Sequence, residues 1–168
     1  MEIRTESVAD RIACLEVVTE GFVKGDGLEP IEANLLRELF ESAAYVPELS
    51  IVAESAGAVV GHVISTRATI GDQPSLGLGP IAVSPSRQGQ GIGSALMRAT
   101  IDRATALGES TIVLLGDPAY YERFGFVRAD FLGIAPPEDW GRHFMVLPLI
   151  DSPLPQGLFA YAEPFSNL

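Results

Sequence analysis

The stretch from Ile81 to Leu96 constrains this chain more than any other. An apolar run, Ile81-Ala82-Val83, passes through Ser84-Pro85-Ser86-Arg87 into Gln88-Gly89-Gln90-Gly91-Ile92-Gly93-Ser94, and a helical pattern follows over about 91–107 to Gly108. The order is strand, glycine-dense turn, helix start. A helix start offers backbone N–H groups without intrahelical acceptors, at the positive end of the aligned peptide dipoles. Glycines let that backbone curl tightly and approach an anion without Cβ clashes. The design suits a phosphate or diphosphate, although the same glycines also make a plain turn.

Two familiar phosphate binders do not fit. A Walker loop needs Gly-Lys followed by Ser or Thr, and the only lysine in the chain is Lys24. In a dinucleotide fingerprint the third glycine would stand at Ser94, and no acid occupies the region of Thr111 where a ribose ligand is expected, Glu109 lying just before it.

Around this segment the pattern alternates between periods. Ile3-Arg4 starts a short strand. Ser7 or Thr5 caps a helix over roughly 8–21, with Val8, Ile12, Leu15, Val18 and Phe22 at helical spacing. After the glycine-bearing loop 21–27, Pro30 opens a second helix over about 30–43 with Ile31, Leu35, Leu39 and Phe40 on one side. Leu49–Glu54 and Ala58–Ile70 flank Ser55-Ala56-Gly57 as a hairpin. Leu76–Val83 is a strand broken by Gly77, Gly79 and Pro80, residues that mark a bulge or a close backbone approach. Thr111–Leu115 is a short buried strand, and Asp117-Pro118 caps and opens a helix through Phe124 that Gly125 stops. Phe126–Leu132 and His143–Leu149 read as a closing antiparallel pair around the loop 133–142, and the tail from Asp151 holds Leu158-Phe159-Ala160-Tyr161, which packs on the rest. The sum is a mixed α/β (α+β) layout with one sheet.

The chain has 168 residues, enough for one domain spanning 1–168, with about 150–168 as a C-terminal extension. Twenty-two acids against eleven bases give a net charge of −11, which argues against a nucleic-acid surface and would favour a cationic substrate. Cys14 is the only cysteine, so no intramolecular disulfide and no cysteine-rich metal site is expected. The N-terminal residues lack the basic-then-apolar order of a secretory signal, and no apolar run approaches the ~20 residues of a membrane span. A cytoplasmic protein with no metal and no membrane partner is the expectation.

Gln88, Gly91 and Gly93, behind Ile81-Ala82-Val83-Ser84-Pro85, resemble the Gln/Arg-x-x-Gly-x-Gly/Ala signature of the GNAT acetyltransferase superfamily. Tyr121-Glu122-Arg123-Phe124-Gly125-Phe126 resembles the Tyr-Glu-Lys/Arg-x-Gly-Phe element that follows in these proteins, with a strand between the two. The resemblance covers about 76–149. It implies a single, mostly antiparallel twisted sheet with helices on both faces, and acetyl-CoA as co-substrate of an N-acetyltransferase.

It also implies roles. The strand ending at Val83 splays from the one beginning near Thr111, and the pantetheine arm of acetyl-CoA pairs there with backbone of Ile81, Ala82 and Val83 as an added strand would. Main-chain groups of Gln88, Gly89, Gln90, Gly91, Ile92, Gly93 and Ser94 hold the pyrophosphate, and an amide near Val83 polarises the thioester carbonyl. Tyr121 is the general acid, with a core tyrosine as the alternative reading and Tyr120 beside it; Arg123 reads as a solvated helix residue or a cofactor ligand. The acceptor is an amine, small molecule or peptide, that must lose a proton before attack. Glu54 and His62 are candidates for the base, while Glu20, Asp26 and Glu29 near the first helix pair, and Trp140 and His143 near the late loop, border the acceptor side. Cys14, among Ile12, Ala13 and Leu15, reads as a buried structural thiol. The asparagine that many relatives carry before the tyrosine helix is absent from Leu114-Leu115-Gly116-Asp117-Pro118. A homodimer is common among such proteins. The competing readings are a transferase for another acyl group or an oxygen acceptor, and a non-catalytic acyl-CoA-binding module.

Overall fold

A computed structural model describes residues 1–168. The first strand, β1 (Glu2–Thr5), pairs with β2 (Tyr45–Ser55), which continues through the expected hairpin into β3 (Ala58–Ile70); a second tight turn at Gly71 leads to β4 (Gln73–Val83). Further strands are β5 (Thr111–Leu115), β6 (Val127–Arg128), β7 (Ile134–Ala135), β8 (Phe144–Pro148) and β9 (Gly157–Ala160). The spatial order is β1-β2-β3-β4-β5-β8-β6, with β9 added along the end of β3 and β7 beside β9. Only β4–β5 and β7–β9 run parallel, so the sheet is mostly antiparallel, as the family resemblance implied.

Period-2 alternation along the long strands loads both faces. Ile51, Val63, Leu76 and Leu78 point to one side, where α3 (Ile92–Ala106) lays Ile92, Leu96 and Met97 on them. Val52, Ile64 and Ala82 point to the other, beneath α1 (Arg11–Phe22) and α2 (Ile31–Glu41), whose Val17, Val18, Leu36 and Leu39 are buried. The short α4 (Pro118–Tyr121) joins the α3 side through Tyr121, and Phe124 just beyond it does the same.

Several expectations need correction. The helix foreseen from residue 8 begins as one 3-10 turn, Val8–Asp10, and Val8 and Ile12 are both 74% exposed. Asp10 is drawn back onto Ser7, whose N–H and hydroxyl both donate to it, and onto Arg4 at 2.7 Å, which pins the first turn; the stripe that reaches the sheet is Cys14, Val17 and Val18. Ile31 is also exposed rather than on the buried side of α2. The long strand expected over 126–132 shrinks to β6. Arg128 chelates Asp130 at 2.7 and 2.9 Å and the chain turns into the 3-10 segment Ala129–Leu132. The tail contributes a strand: Phe159 is fully buried, and Tyr161 stacks on Phe165 with ring centroids 4.1 Å apart. No helix is long and apolar enough to cross a membrane.

Candidate active site

The two parallel central strands touch only at their beginnings. β4 and β5 pair at Leu76↔Ile112 and Gly77↔Val113 and at no later residue, although β4 runs on to Val83. Beyond Gly77 the β3–β4 register shifts, the mark of a bulge that bends a strand. The strands therefore part, and a wedge-shaped gap opens toward their C-terminal ends.

Backbone direction along β4 decides which residues address this gap. Ser84 N–H donates to Val60 O at 2.8 Å, so Ser84 faces β3. Successive residues of a strand turn their N–H and C=O groups to alternate sides. Ala82 therefore faces β3 as well, opposite His62, and its side chain is buried on the α1 side. Ile81 and Val83 turn their polar backbone into the gap. Of the three residues grouped from sequence, two present main-chain groups there and Ala82 does not.

At the open end lies a hollow of about 330 Å³ lined by Val83, Arg87, Gln88, Gly89, Gly91–Ser94, Tyr120 and Arg123, the lower end of the range for small-molecule sites. Gly89 and Gly91 adopt φ of 76° and 83°, the left-handed region where a side chain is strained. The first main-chain bond of α3 runs from Ala95 N–H to Gly91 O at 3.0 Å, so the amides of Ile92, Gly93 and Ser94 precede any intrahelical acceptor. The Ile92 side chain is core, leaving its backbone to the hollow. Gln88 Nε2 donates to Val83 O at 3.1 Å, tying the loop to the end of β4. Gln90 does not line the hollow; its Oε1 accepts from Arg87 Nε at 3.1 Å, while Arg87 Nη2 donates to Ser55 Oγ.

Tyr120 and Arg123, which no motif role singled out, also line the hollow. A Cβ added at Gly93 would lie 3.1 Å from Tyr120 Oη, so the Tyr120 phenol rests on the glycine turn. Arg123 caps the Tyr120 ring at 4.3 Å and donates from Nε to Tyr120 O. Their i, i+3 spacing, which puts two helix residues on one side, was the signal available. In a chain of net charge −11, Arg87 and Arg123 make this corner locally positive.

Tyr121 points the other way, into the α3-side core. Its ring lies edge-on to Phe126 at 5.8 Å, and burial pushes its phenol up to about 12, so it is neutral near pH 7. Tyr161 lies close to it. Burial raises that phenol too, opposed by the Leu115 amide facing its oxygen.

The remaining candidates separate clearly. His62 is fully buried beneath α2, its Nε2 2.9 Å from Ser50 Oγ, and burial pushes it down to about 3; it cannot meet a substrate proton. Glu54 is bonded to Arg4 at 3.2 Å on β2, with β3 and β4 between it and the gap. Glu29 is paired with Arg37, and Asp26 accepts from Leu28 N–H. Glu20 sits beside Gly21, whose α-carbon packs on Ala82, so the end of α1 borders the end of β4. His143 Nδ1 lies 3.1 Å from Gly116 O, beside β8, and Trp140 packs on Phe144 and Tyr161. Cys14 is buried, and its thiol is pushed up to about 12 chiefly by that burial, which leaves it inert.

Parted parallel strands beside a glycine-built ring of helix-start amides are the frame of the GNAT fold. The chain belongs to the Acetyltransferase (GNAT) family, which matches residues 15–126. It is 38% identical over 128 residues to the uncharacterized N-acetyltransferase YjhQ of Escherichia coli K12, a match spanning 74% of this chain and 67% of that protein. Against the uncharacterized N-acetyltransferase YhbS of the same strain, identity is 33% over 97 residues, 56% of this chain and 58% of YhbS. The crystal structure of E. coli YhbS in complex with CoA superposes with a TM-score of 0.89 at 29% identity, covering 98% of this chain and 91% of that one. A GNAT family acetyltransferase from Brucella melitensis in complex with acetyl-CoA gives 0.80 at 32% identity, covering 98% and 97%.

Proposed function

We propose that the protein moves an acetyl group from acetyl-CoA to a primary amine by direct transfer in a ternary complex. The observation that carries this reading is continuity. The gap-facing backbone of Ile81 and Val83 runs straight into the amide ring of Gly89–Ser94, giving one track for a polar arm and a diphosphate. The CoA and acetyl-CoA held by the two crystal structures of similar proteins support it.

In this reading the amides of Gly91–Ser94 hold the pyrophosphate, with Arg87 and Arg123 adding charge, and the glycines keep side chains out of its way. Ile81 and Val83 pair with the pantetheine amides and aim an N–H at the thioester carbonyl, stabilising charge that develops on its oxygen. Tyr121, held neutral by burial, gives its proton to the leaving thiolate. Most of the rate gain comes from holding amine and thioester together. The acceptor enters beside the end of α1, where Glu20 attracts a cation, and its proton leaves through water.

Calorimetry with CoA and acetyl-CoA, followed by thiol release with a panel of amines, amino acids and peptides, tests this. Micromolar binding with amine-dependent thiol release is expected. Binding without release for any acceptor supports a sensor instead, and absence of binding removes the reading.

A further inference from the structure

The narrow end of the gap is closed by a residue from the far end of the chain. Gly77 is the last residue of β4 that pairs with β5, and the Tyr161 ring is seated on it: a Cβ at Gly77 would meet Tyr161 Cδ1 at 2.4 Å and Cε1 at 2.7 Å. On the other strand, Gly116 N–H donates to His143 O at 2.9 Å, toward β8, so the Leu115 N–H one residue earlier points into the gap. It faces the Tyr161 hydroxyl. The ring thus bridges from β4 to β5 across the point where they part. It is also braced, stacked on Phe165, edge-on to Phe159 at 4.8 Å and against Trp140 at 5.9 Å.

Resting on the acetyl-transfer reading, we infer that Tyr161 is the end wall of the acyl pocket and limits the acyl group this protein accepts to two or three carbons. A thioester whose arm is held by Ile81 and Val83 directs its acyl carbons toward the narrow end of the gap, where each added methylene meets a ring that cannot retreat. A hydrophobic pocket discriminates one methylene by roughly 10- to 200-fold, so kcat/KM falls at each step from acetyl to propionyl to butyryl.

The test compares kcat/KM for acetyl-, propionyl- and butyryl-CoA with one amine, in the native protein and in Tyr161→Phe, Tyr161→Leu and Tyr161→Ala, with thermal melts to confirm folding. The butyryl-to-acetyl ratio should rise at least about tenfold in Tyr161→Leu and Tyr161→Ala and stay at the native value in Tyr161→Phe, which keeps the ring. An unchanged ratio in folded Leu and Ala variants, or a Phe variant as permissive as Ala, overturns the wall. If no amine is acylated at all, the transfer reading falls, and the wall is judged separately by calorimetry. Native protein should then bind butyryl-CoA about tenfold or more weaker than acetyl-CoA, with the difference lost in Tyr161→Leu. Equal native affinities would reject it.

Discussion

The ring of Tyr121 lies against the α-carbon of Gly116, so close that a Cβ on Gly116 would come within 2.2 Å of Tyr121 Cε2 and 2.6 Å of Cδ2. Gly116 occupies the turn between β5 and α4, and its missing side chain is what lets the phenol lie over the end of β5. Gly116→Ala should push Tyr121 aside without touching the amide ring at α3. We expect kcat to fall by about 10- to 100-fold, a partial loss of the roughly 100- to 10,000-fold that proton transfer contributes, while the CoA dissociation constant stays within about twofold. Steady-state kinetics beside calorimetry checks this; equal losses in both would mean that the turn, and not the tyrosine, had been disturbed.

Removal of the hydroxyl itself is the sharper experiment. Tyr121→Phe keeps the ring and its contact with Phe126 but takes away the proton, and turnover should drop by about 10²-fold or more. Because burial raises the phenol to about 12 from an ordinary 10, its ionisation should not depress the native rate anywhere below about pH 10. Rates measured between pH 7 and 10 that match native protein throughout would remove Tyr121 from the chemistry.

Gly91 caps α3 with φ of 83°. Alanine there meets no neighbouring atom, so its cost is conformational, about 1–2 kcal/mol. Part of it will appear as a distorted amide ring. Gly91→Ala should weaken CoA binding by about tenfold, equivalent to about 1.4 kcal/mol, and Arg123→Ala should weaken it in a salt-dependent way. Titrations at low and high ionic strength separate the two effects, since only the arginine variant changes the salt response.

His62 makes the fold acid-sensitive in a defined window. Folded, it remains neutral down to about pH 3; unfolded, it takes a proton near 6.5. The unfolded chain therefore gains a proton that the folded chain refuses, and stability, complete above pH 6.5, falls as pH drops toward 3. The shift corresponds to about 4–5 kcal/mol as an order of magnitude. Asp10, which the Arg4 guanidinium holds well below the usual carboxylate range, adds a loss only below about pH 4. Urea midpoints measured from pH 7 to 4 should decline in native protein and stay level in His62→Gln; a parallel decline in both would exclude the histidine.

Legibility in the sequence followed the range of the interactions involved. Where neighbours in the chain decide the outcome, residues speak directly. Gly91 and Gly125 sit at positive φ, Asp117 accepts from Ala119 N–H at 3.0 Å to cap α4, and β3 and β5 fall where β-branched runs place them. Where distant segments decide, the pattern misled or was silent. Val8 and Ile12 keep helical spacing yet face solvent, because Arg4 and Ser7 fix Asp10 and so the rotation of the first turn. The gap arises from where β4 stops pairing with β5, a register that no local periodicity records. Tyr161, eighty-four residues from Gly77, carried no motif at all, and only the pairing of β9 with β3 brings it to the narrow end. Tyr120 stands next to Tyr121 in the chain, and two adjacent tyrosines on a helix turn to different sides, so sequence alone does not say which of them faces the hollow.

The division of β4 into groups turned toward β3 and groups turned away has a consequence for how this segment tolerates change. Exchange of Ile81 or Val83 for another β-branched residue leaves every amide and carbonyl aimed as before, because their side chains pack on the α3-side core and take no part in the pairing edge. Loss of one residue between Pro80 and Ser84 is different in kind: it inverts the whole edge, sending toward β3 the groups that now look outward and burying the apolar side chains on the wrong face. Variation in this stretch should therefore proceed by replacement and hardly ever by change of length.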